Sequence, residues 1–183
     1  MDTVLPGTVI DIGKKNYGIQ NDAKDFLDSI FCTGGLTLGQ VCTLTSLEDY
    51  TVQNWVKRGF VSPPVKKLYS KRQFCRIAVI NLLRESMQIE KIVQLLRSLN
   101  GCLADESDDL VDDSMLYNYY VNVLFAREQY QTPEETISYV IRDYQEPQPG
   151  ARRRLAKVLL VMFYSGEAAR YAKISDRLLC ELN

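Results

Sequence analysis

The chain has 183 residues with 22 Lys and Arg against 23 Asp and Glu, it is 46% hydrophobic, and it contains no histidine. This length suits one domain or two small ones, and the composition is typical of a soluble globular protein. The missing histidine removes the commonest acid–base catalyst and the commonest metal ligand. Because no P-loop and no GxGxxG pattern occurs either, we predict that the protein is not an enzyme and has no cofactor or metal.

Targeting signals are also missing from the sequence. The start Met1-Asp2 is not basic and no apolar core follows it, so no signal peptide is predicted. The longest apolar run, residues 158–164, is too short to span a bilayer. We therefore expect a cytoplasmic protein without a membrane partner. The odd number and wide spacing of the cysteines predict buried free thiols and neither disulfides nor a zinc site; they are Cys32, Cys42, Cys75, Cys102 and Cys180.

Charge is unevenly distributed, although the formal net charge is only −1. Residues 57–97 carry ten basic side chains and two acidic ones, whereas residues 1–56 and 98–146 are acidic. Such a local excess creates a field that attracts polyanions. A solvated surface is the simpler interpretation of any charge run. Here the run includes residues 62–70, which fit the wing of a winged helix, and the helix that follows them. This coincidence favours nucleic acid as the partner.

The N-terminal part is predicted to be an irregular arm followed by a helix. Residues 1–20 show little periodicity, with a short strand expected near Val9-Ile10. After Asp22, apolar residues recur with the 3.6-residue period of a helix, which Gly34-Gly35 ends. The next helix begins with the capping-box pattern Thr37 to Gln40, and we expect Thr45-Ser46 to end it.

A second short helix follows, and Asp49 is predicted to be its N-cap. Its apolar face contains Val52, Trp55 and Val56, which we expect in the core. The opposite face carries Tyr50, Gln53, Asn54, Lys57 and Arg58. Two short helices with a tight break fit a helix-turn-helix, and they also fit any αα-hairpin.

The segment after these helices is predicted to be extended and then helical again. Pro63-Pro64 disfavours helix and favours extended backbone. Ser70 to Gln73 forms a second capping box that opens a strongly apolar helix, and another helix ends near Asn100-Gly101. Arg76 and Arg84, within this stretch, are predicted to be solvated.

The rest of the chain is predicted to be an acidic linker and a helical tail. The linker lacks the order of ligands of an EF-hand, so a calcium site is disfavoured. Helices are expected over 114–130, from a third capping box at Thr132 to about Gln145, and over 151–182. The resulting division is an N-terminal arm and helix at 1–35, a helix-turn-helix domain at 36–101, an acidic linker at 102–113 and a helical region at 114–183.

The tail is rich in tyrosine, which suits interfaces and wet pockets. We therefore expect it to form a homodimer, with a small-molecule effector site among the tyrosines as the alternative. No sustained heptad is expected over 102–183. Arg152-Arg153-Arg154 begins a helix, and either a phosphate or the acidic linker is a possible partner.

From Leu36 to Leu96 the chain resembles the DNA-binding domain of the MerR family of bacterial regulators. It is also similar to a Firmicutes family of MerR-like domains of unknown function that share a Val-Lys-Lys-x-Tyr-Ser wing and a helical tail. The matching segments are Leu36-Thr37-Leu38-Gly39-Gln40-Val41, Thr51 to Val61, Lys67-Leu68-Tyr69-Ser70 and Ile77 to Leu96. The resemblance implies a mostly α protein with a winged helix-turn-helix and a reduced wing.

The resemblance also implies contacts with double-stranded DNA. Lysines and arginines of the wing and the following helix would contact phosphates, and residues of helix 50–58 would read bases in the major groove. The predicted DNA-binding residues are Tyr50, Thr51, Gln53, Asn54, Lys57, Arg58, Lys66, Lys67, Tyr69, Lys71 and Arg72. For Tyr69, packing in the core is the favoured alternative. In the MerR family an arginine lies early in the recognition helix, where this chain has Gln53 beside Asn54.

These features predict a homodimeric bacterial transcriptional regulator. The alternative is a degenerate winged helix that binds another protein. The clipped wing and the missing recognition arginine motivate that alternative. The two hypotheses differ in whether Lys57, Lys66, Lys67 and Lys71 share an exposed face.

Overall fold

The computed structural model describes residues 4–13, 22–101, 103 and 108–182, which form eight helices joined by turns and isolated β-bridges. The helices are α1 (Asp22–Phe31), α2 (Leu38–Thr45), α3 (Asp49–Lys57), α4 (Lys71–Leu83), α5 (Ile89–Asn100), α6 (Asp113–Ala126), α7 (Pro133–Val140) and α8 (Ala151–Cys180). The predicted mostly helical fold is confirmed for these residues.

The first two predicted capping boxes are present. Thr37 accepts from the Gln40 N–H at 3.4 Å, while the Gln40 side chain accepts from the Thr37 N–H at 2.9 Å. Ser70 and Gln73 repeat this exchange at 3.3 and 2.8 Å. Each box satisfies backbone amides that a helix start leaves free. The short helices α2 and α4 therefore begin where their sequences predict.

The predicted N-cap of α3 is wrong. Asp49 is the first helical residue, and the cap position is Glu48, whose side chain makes no capping bond. The reason is the short connection: Ser46 ends α2 in the left-handed conformation, which leaves only two residues before α3 begins. The pKa of the Cys42 thiol is raised to about 12. Burial is the larger cause, and a hydrogen bond from the thiol to the Asp49 carboxylate is the smaller one.

The third capping box is present in a modified form. Thr132 accepts from the Glu135 N–H at 3.2 Å, and Pro133 takes the first helical position, as predicted. The Glu135 carboxylate accepts instead from the Gln131 N–H at 3.1 Å. Helix α7 ends at Val140, earlier than the predicted Gln145.

Helix α4 lies at the centre of the fold. Every residue from Gln73 to Ile80 is buried, and the helix contacts α1, α2, α5, α6 and α8. A helix that is buried on all sides needs partners around it. The elements that follow the predicted helix-turn-helix domain are therefore part of the same core as α4.

Arg76 is buried, so the prediction that it is solvated is wrong. Its side chain is 2% exposed, and its Nη1 donates to both carboxylate oxygens of Asp113, at 3.0 and 3.2 Å. Its Nε donates to the Phe60 carbonyl at 2.6 Å. Burial raises the pKa of Asp113, and the Arg76 and Arg72 charges oppose that rise. The pair joins α4 to the start of α6 and to the segment after α3.

The end of the predicted acidic linker is packed. Leu110, Val111 and Asp113 are buried, and Asp109 pairs with Arg72 at 2.6 Å. The Tyr144 hydroxyl donates to the Leu110 carbonyl at 2.5 Å. Residues 109–113 of the predicted linker thus lie against the core, where two arginines of α4 pair with their carboxylates. Residues 102 and 104–107 lie outside the described ranges.

Within the predicted N-terminal arm, residues 4–13 form a turn against the core. Val4 and Asp11 form an antiparallel bridge, and the Tyr117 hydroxyl donates to the Pro6 carbonyl at 2.7 Å. Gly7 has φ +70°, and a Cβ there would lie 2.0 Å from the Ala78 carbonyl oxygen. Glycine is required at this position because the backbone approaches α4 so closely.

The buried-cysteine prediction holds for two of the four described thiols. Cys42 and Cys75 are buried, whereas Cys32 and Cys180 are exposed. The prediction is wrong for Cys32 because it follows the last residue of α1, and for Cys180 because it lies on a solvated turn of α8. Cys102 lies outside the described residues.

Helix α8 is one continuous element of 30 residues. Its first two thirds bury one face, which includes Leu155, Leu159 and Met162. Every described residue from 170 onward is exposed. No helix in the described ranges combines the length and apolar character of a bilayer span.

We predict that Asp113→Leu destabilises the fold by about 3–5 kcal/mol, because it leaves the Arg76 guanidinium buried without its partner. Urea unfolding followed by circular dichroism measures the loss. The double variant R76M/D113L is expected to be more stable than D113L, because it removes both charges. Equal stability of the two variants would show that the unpaired charge is not the cause.

Candidate nucleic-acid interface

Helices α2 and α3 are joined by a three-residue turn over 46–48. Leu47 in this turn is buried, as are Val52 and Trp55 on the inner face of α3. The outer face of α3 is open: Tyr50 is 72% exposed, and Gln53, Asn54 and Lys57 are also exposed. The inner-face prediction is thus confirmed for Val52 and Trp55, and Val56 is half-buried.

Residues 65–68 form a minimal β-hairpin. Val65 and Leu68 exchange backbone hydrogen bonds of 3.1 and 2.9 Å. The two residues at its tip have positive φ, 51° for Lys66 and 65° for Lys67. Positive φ at both central residues is the type I′ turn that matches the twist of two-residue hairpins and usually has the sequence Asn-Gly. The two lysines therefore form a turn that glycine or asparagine usually forms, although the segment contains neither.

The hairpin is attached to the start of α2. The Leu36 N–H donates to the Tyr69 carbonyl at 2.9 Å, and the Tyr69 N–H donates to the Leu36 carbonyl at 2.7 Å. Tyr69 is 3% exposed, so its ring packs in the core and is not on the outer surface. This anchoring fixes the hairpin tip relative to the helix pair.

The hairpin tip is strained and charged. A left-handed conformation costs an L-residue about 1–2 kcal/mol, and the chain has two such lysines in succession. Both are exposed, and neither forms an ion pair with any residue that the structure describes. The arrangement keeps two cations accessible to an external anion.

The hairpin tip also has an apolar part, which was not among the predicted contacts. Val65 is 72% exposed and Leu68 is 37% exposed. In the sequence, these two apolar residues stand directly before and after the lysine pair, and this position is the signal that could have indicated them. The tip thus offers apolar contact area beside its two charges.

Other predicted cationic contacts already have partners within the protein. Lys71 pairs with Asp28 at 2.5 Å, and Arg72 pairs with Asp109 at 2.6 Å. Arg58 pairs with Glu90 at 3.0 Å and lies 4.4 Å from the centre of the Phe60 ring. Thr51 is half-buried. The part of the predicted set that is exposed and without a described ion pair is Tyr50, Gln53, Asn54, Lys57, Lys66 and Lys67.

The Arg152 side chain donates hydrogen bonds to backbone carbonyls of the protein itself. Its guanidinium donates to the Ile141 carbonyl at 2.5 Å and also to the Tyr144 carbonyl. These bonds satisfy carbonyls at the end of α7 and in the turn after it, where a helix leaves acceptors free. Arg152 is therefore a structural residue of the tail.

Several tail tyrosines are structural. Tyr117 and Tyr144 are buried and donate to backbone carbonyls, and Tyr130 packs on Tyr139 with ring centres 5.1 Å apart. A cavity of about 260 Å³ lies beside Tyr120, between α6, α8 and the N-terminal turn. A second cavity, of about 490 Å³, lies beside Tyr119 and Tyr144.

Comparison with known proteins identifies the region that contains the hairpin and the helix pair. Residues 34–120 match the family described as "Domain of unknown function (DUF1836)". This range extends past the predicted domain end at residue 101 and includes both Arg76 and Asp113. The buried pair therefore lies inside the matched unit.

A curated relative from Bacillus subtilis (strain 168), "Uncharacterized protein YkrK", is 32% identical over 124 residues. The alignment covers 66% of this chain and 48% of the relative, so the chain spans about half the length of the curated relative it matches. No solved structure matches the chain.

We predict that K66N/K67G raises the free energy of unfolding by about 1 kcal/mol, because Asn-Gly adopts positive φ with little strain. Thermal and urea unfolding measure the change. K66A/K67A is the matched control, since it removes the same charges but keeps Cβ atoms in the left-handed conformation. A gain in the control equal to that of K66N/K67G would attribute the effect to charge and not to backbone strain.

Proposed function

We propose that this protein is a DNA-binding transcriptional regulator in which α3 enters the major groove and the 65–68 hairpin contacts the backbone beside it. The observation that carries the proposal is the hairpin tip, where Lys66 and Lys67 are exposed and held in a strained conformation. Strain of this kind is typically retained at functional sites. Phosphate is the anion that two adjacent lysines on a protruding turn suit best.

The exposed face of α3 supports base reading. Asn and Gln side chains can each donate to and accept from an adenine edge, so Gln53 and Asn54 suit A·T pairs. Lys57 lies on the same exposed face and can donate to a guanine edge or to phosphate. Tyr50 adds a large exposed ring at the start of the helix.

The internal ion pairs narrow the set of proposed DNA contacts. Asp28 and Asp109 neutralise Lys71 and Arg72, and Tyr69 is buried. We therefore assign the phosphate contacts to Lys57, Lys66 and Lys67. Arg58 joins them if DNA displaces its exposed pair with Glu90, which costs little because surface pairs are weak.

A regulator of this kind reads two half-sites as a homodimer in the cytoplasm of a bacterium. Two copies related by a two-fold axis would place two α3 helices in successive major grooves. The MerR-like sequence resemblance over residues 36–96 supports this arrangement.

We predict that K66A/K67A weakens binding evenly across DNA sequences and reduces the slope of log K against log salt by about 2 per DNA-bound chain. Each lysine lost removes one phosphate contact and the counterions that it releases. Gel shifts with a fluorescent duplex at several salt concentrations measure the slope. R153A/K157A removes two exposed cations of α8 and is expected to leave the slope unchanged.

Absence of binding to any duplex at low salt would contradict the proposal. It would favour the alternative in which the helix pair and hairpin bind another protein. Salt-independent binding would also contradict it, because phosphate contacts release counterions.

We predict that Asn54→Ala changes which sequence is preferred and leaves the salt slope unchanged. The loss of a bidentate contact with one base costs about 1–3 kcal/mol of discrimination at that position. Selection from a randomised duplex library with the unaltered chain, and then with the variant, measures the change. Thr43, exposed on α2, provides the control T43A, which is expected to keep the original preference.

A further inference from the structure

Helix α8 carries an exposed apolar stripe over its last two thirds, and Leu182, in the turn after the helix ends at Cys180, continues it. Large apolar residues recur every seven positions at Tyr164, Tyr171 and Leu178, and each is more than half exposed. A second row, also spaced by seven, contains Val161, Ala168, Ser175 and Leu182. The two rows interleave at the three- and four-residue spacing of a coiled-coil seam. This spacing extends over about three repeats, within a tail for which no sustained heptad is expected.

The stripe lies on the side of α8 opposite to the buried one. Nine residues separate Met162, which is fully buried, from Tyr171, which is 61% exposed. At 100° per residue that separation turns the helix by half a revolution. The stripe is thus a second apolar surface and not the edge of the packed face.

The stripe also continues where α8 no longer packs on the protein. Lys173 still pairs with Glu85 at 2.7 Å. Beyond it, the side that was buried carries Asp176 and Cys180, while Leu178 and Leu182 continue the stripe. A projecting helix in water has no reason to keep one apolar side. The pattern indicates a surface that another molecule covers.

The sizes of the residues in the two rows indicate which molecule covers the stripe. One row has the large residues Tyr164, Tyr171 and Leu178, and the other row has the small residues Ala168 and Ser175. In a parallel pair each row faces itself, so small residues would meet small ones and leave gaps. In an antiparallel pair each row faces the other row. Small residues of one copy then meet large residues of the other, and the interface has no gaps.

The two ends of the stripe are complementary as well. Near the body of the protein, Val161, Tyr164 and Ala168 line a shallow groove of about 380 Å³ together with Ser86. At the far end Leu182 is 83% exposed. An antiparallel copy places its Leu178 and Leu182 at this groove, and it does so twice because of the two-fold axis.

We infer that α8 pairs with α8 of a second copy of this chain, antiparallel, through the stripe 161–182. The exposed parts of the stripe amount to on the order of 600 Å² per chain, which approaches the roughly 800 Å² per partner of stable complexes. This inference deepens the proposed function by naming its dimer surface, but it is tested without DNA.

The test is the mass of the full chain in solution by analytical ultracentrifugation. The unaltered chain is expected at twice its 20.9 kDa mass. Y171E/L178E is expected to dimerise at least on the order of a hundredfold more weakly, because pairing would bury unpaired carboxylates. Its fold is expected to be unchanged, since both side chains are exposed. R177Q/C180E is the matched control: it changes the charge by the same amount on the other side of the same turns, and it is expected to remain dimeric.

A monomeric unaltered chain at every concentration would overturn the inference, as would a dimeric Y171E/L178E variant. The first result could come from an occupant other than a second copy, such as a further segment or a different protein. Neither result affects the loss of DNA binding in K66A/K67A, so failure of the pairing and failure of the proposed function are distinguishable.

Cysteine cross-linking tests the direction of pairing. In a C32S/C180S background, L182C is expected to stay uncross-linked under mild oxidation, because antiparallel pairing separates the two copies of this residue by roughly 25 Å along the helix. Y164C/L182C is expected to cross-link between chains. Rapid cross-linking of L182C alone would overturn the antiparallel arrangement.

Discussion

The buried ion pair between Arg76 and Asp113 connects the parts of this protein that the sequence separates. It joins the central helix α4 to α6, and through the Phe60 carbonyl it also holds the chain just after α3. Removal of one partner from a charge pair buried this deeply strongly destabilises the fold. The helix pair, the hairpin and the tail therefore have fixed positions relative to one another, and the match over 34–120 includes both partners.

The placement of cations follows from that arrangement. Asp109 and Asp113, at the start of the tail, pair with Arg72 and Arg76 of α4, which removes charge from the region that looks most basic in the sequence. Among the predicted DNA contacts, the exposed cations without a described ion pair are Lys57 on α3 and Lys66 and Lys67 on the hairpin. Lys66 and Lys67 stand out because the backbone bears strain to hold them there. The basic stretch thus contains cations that have partners inside the protein and cations that are exposed.

Helix α8 shows the same separation between a structural surface and a free one. One side completes the core around α4, and the other side presents the stripe that we assign to a second copy. The residues that pack inward change to polar types where the body ends, while the stripe continues. Two surfaces on one helix allow the tail to stabilise the fold and to pair two chains, without the tail being a separate domain.

Local chemistry was readable from the sequence alone. Capping side chains at Thr37 and Ser70 and the apolar period around Val52 and Trp55 set helix starts and inner faces, because these interactions join residues a few positions apart. Only the tertiary structure decided which charges are buried. Arg76 lies 37 positions from Asp113, and Lys71 lies 43 positions from Asp28, and no local pattern signals such partners. The positive φ of two lysines was equally hidden, because lysine does not favour that conformation and a long-range pairing of Leu36 with Tyr69 holds the hairpin in place.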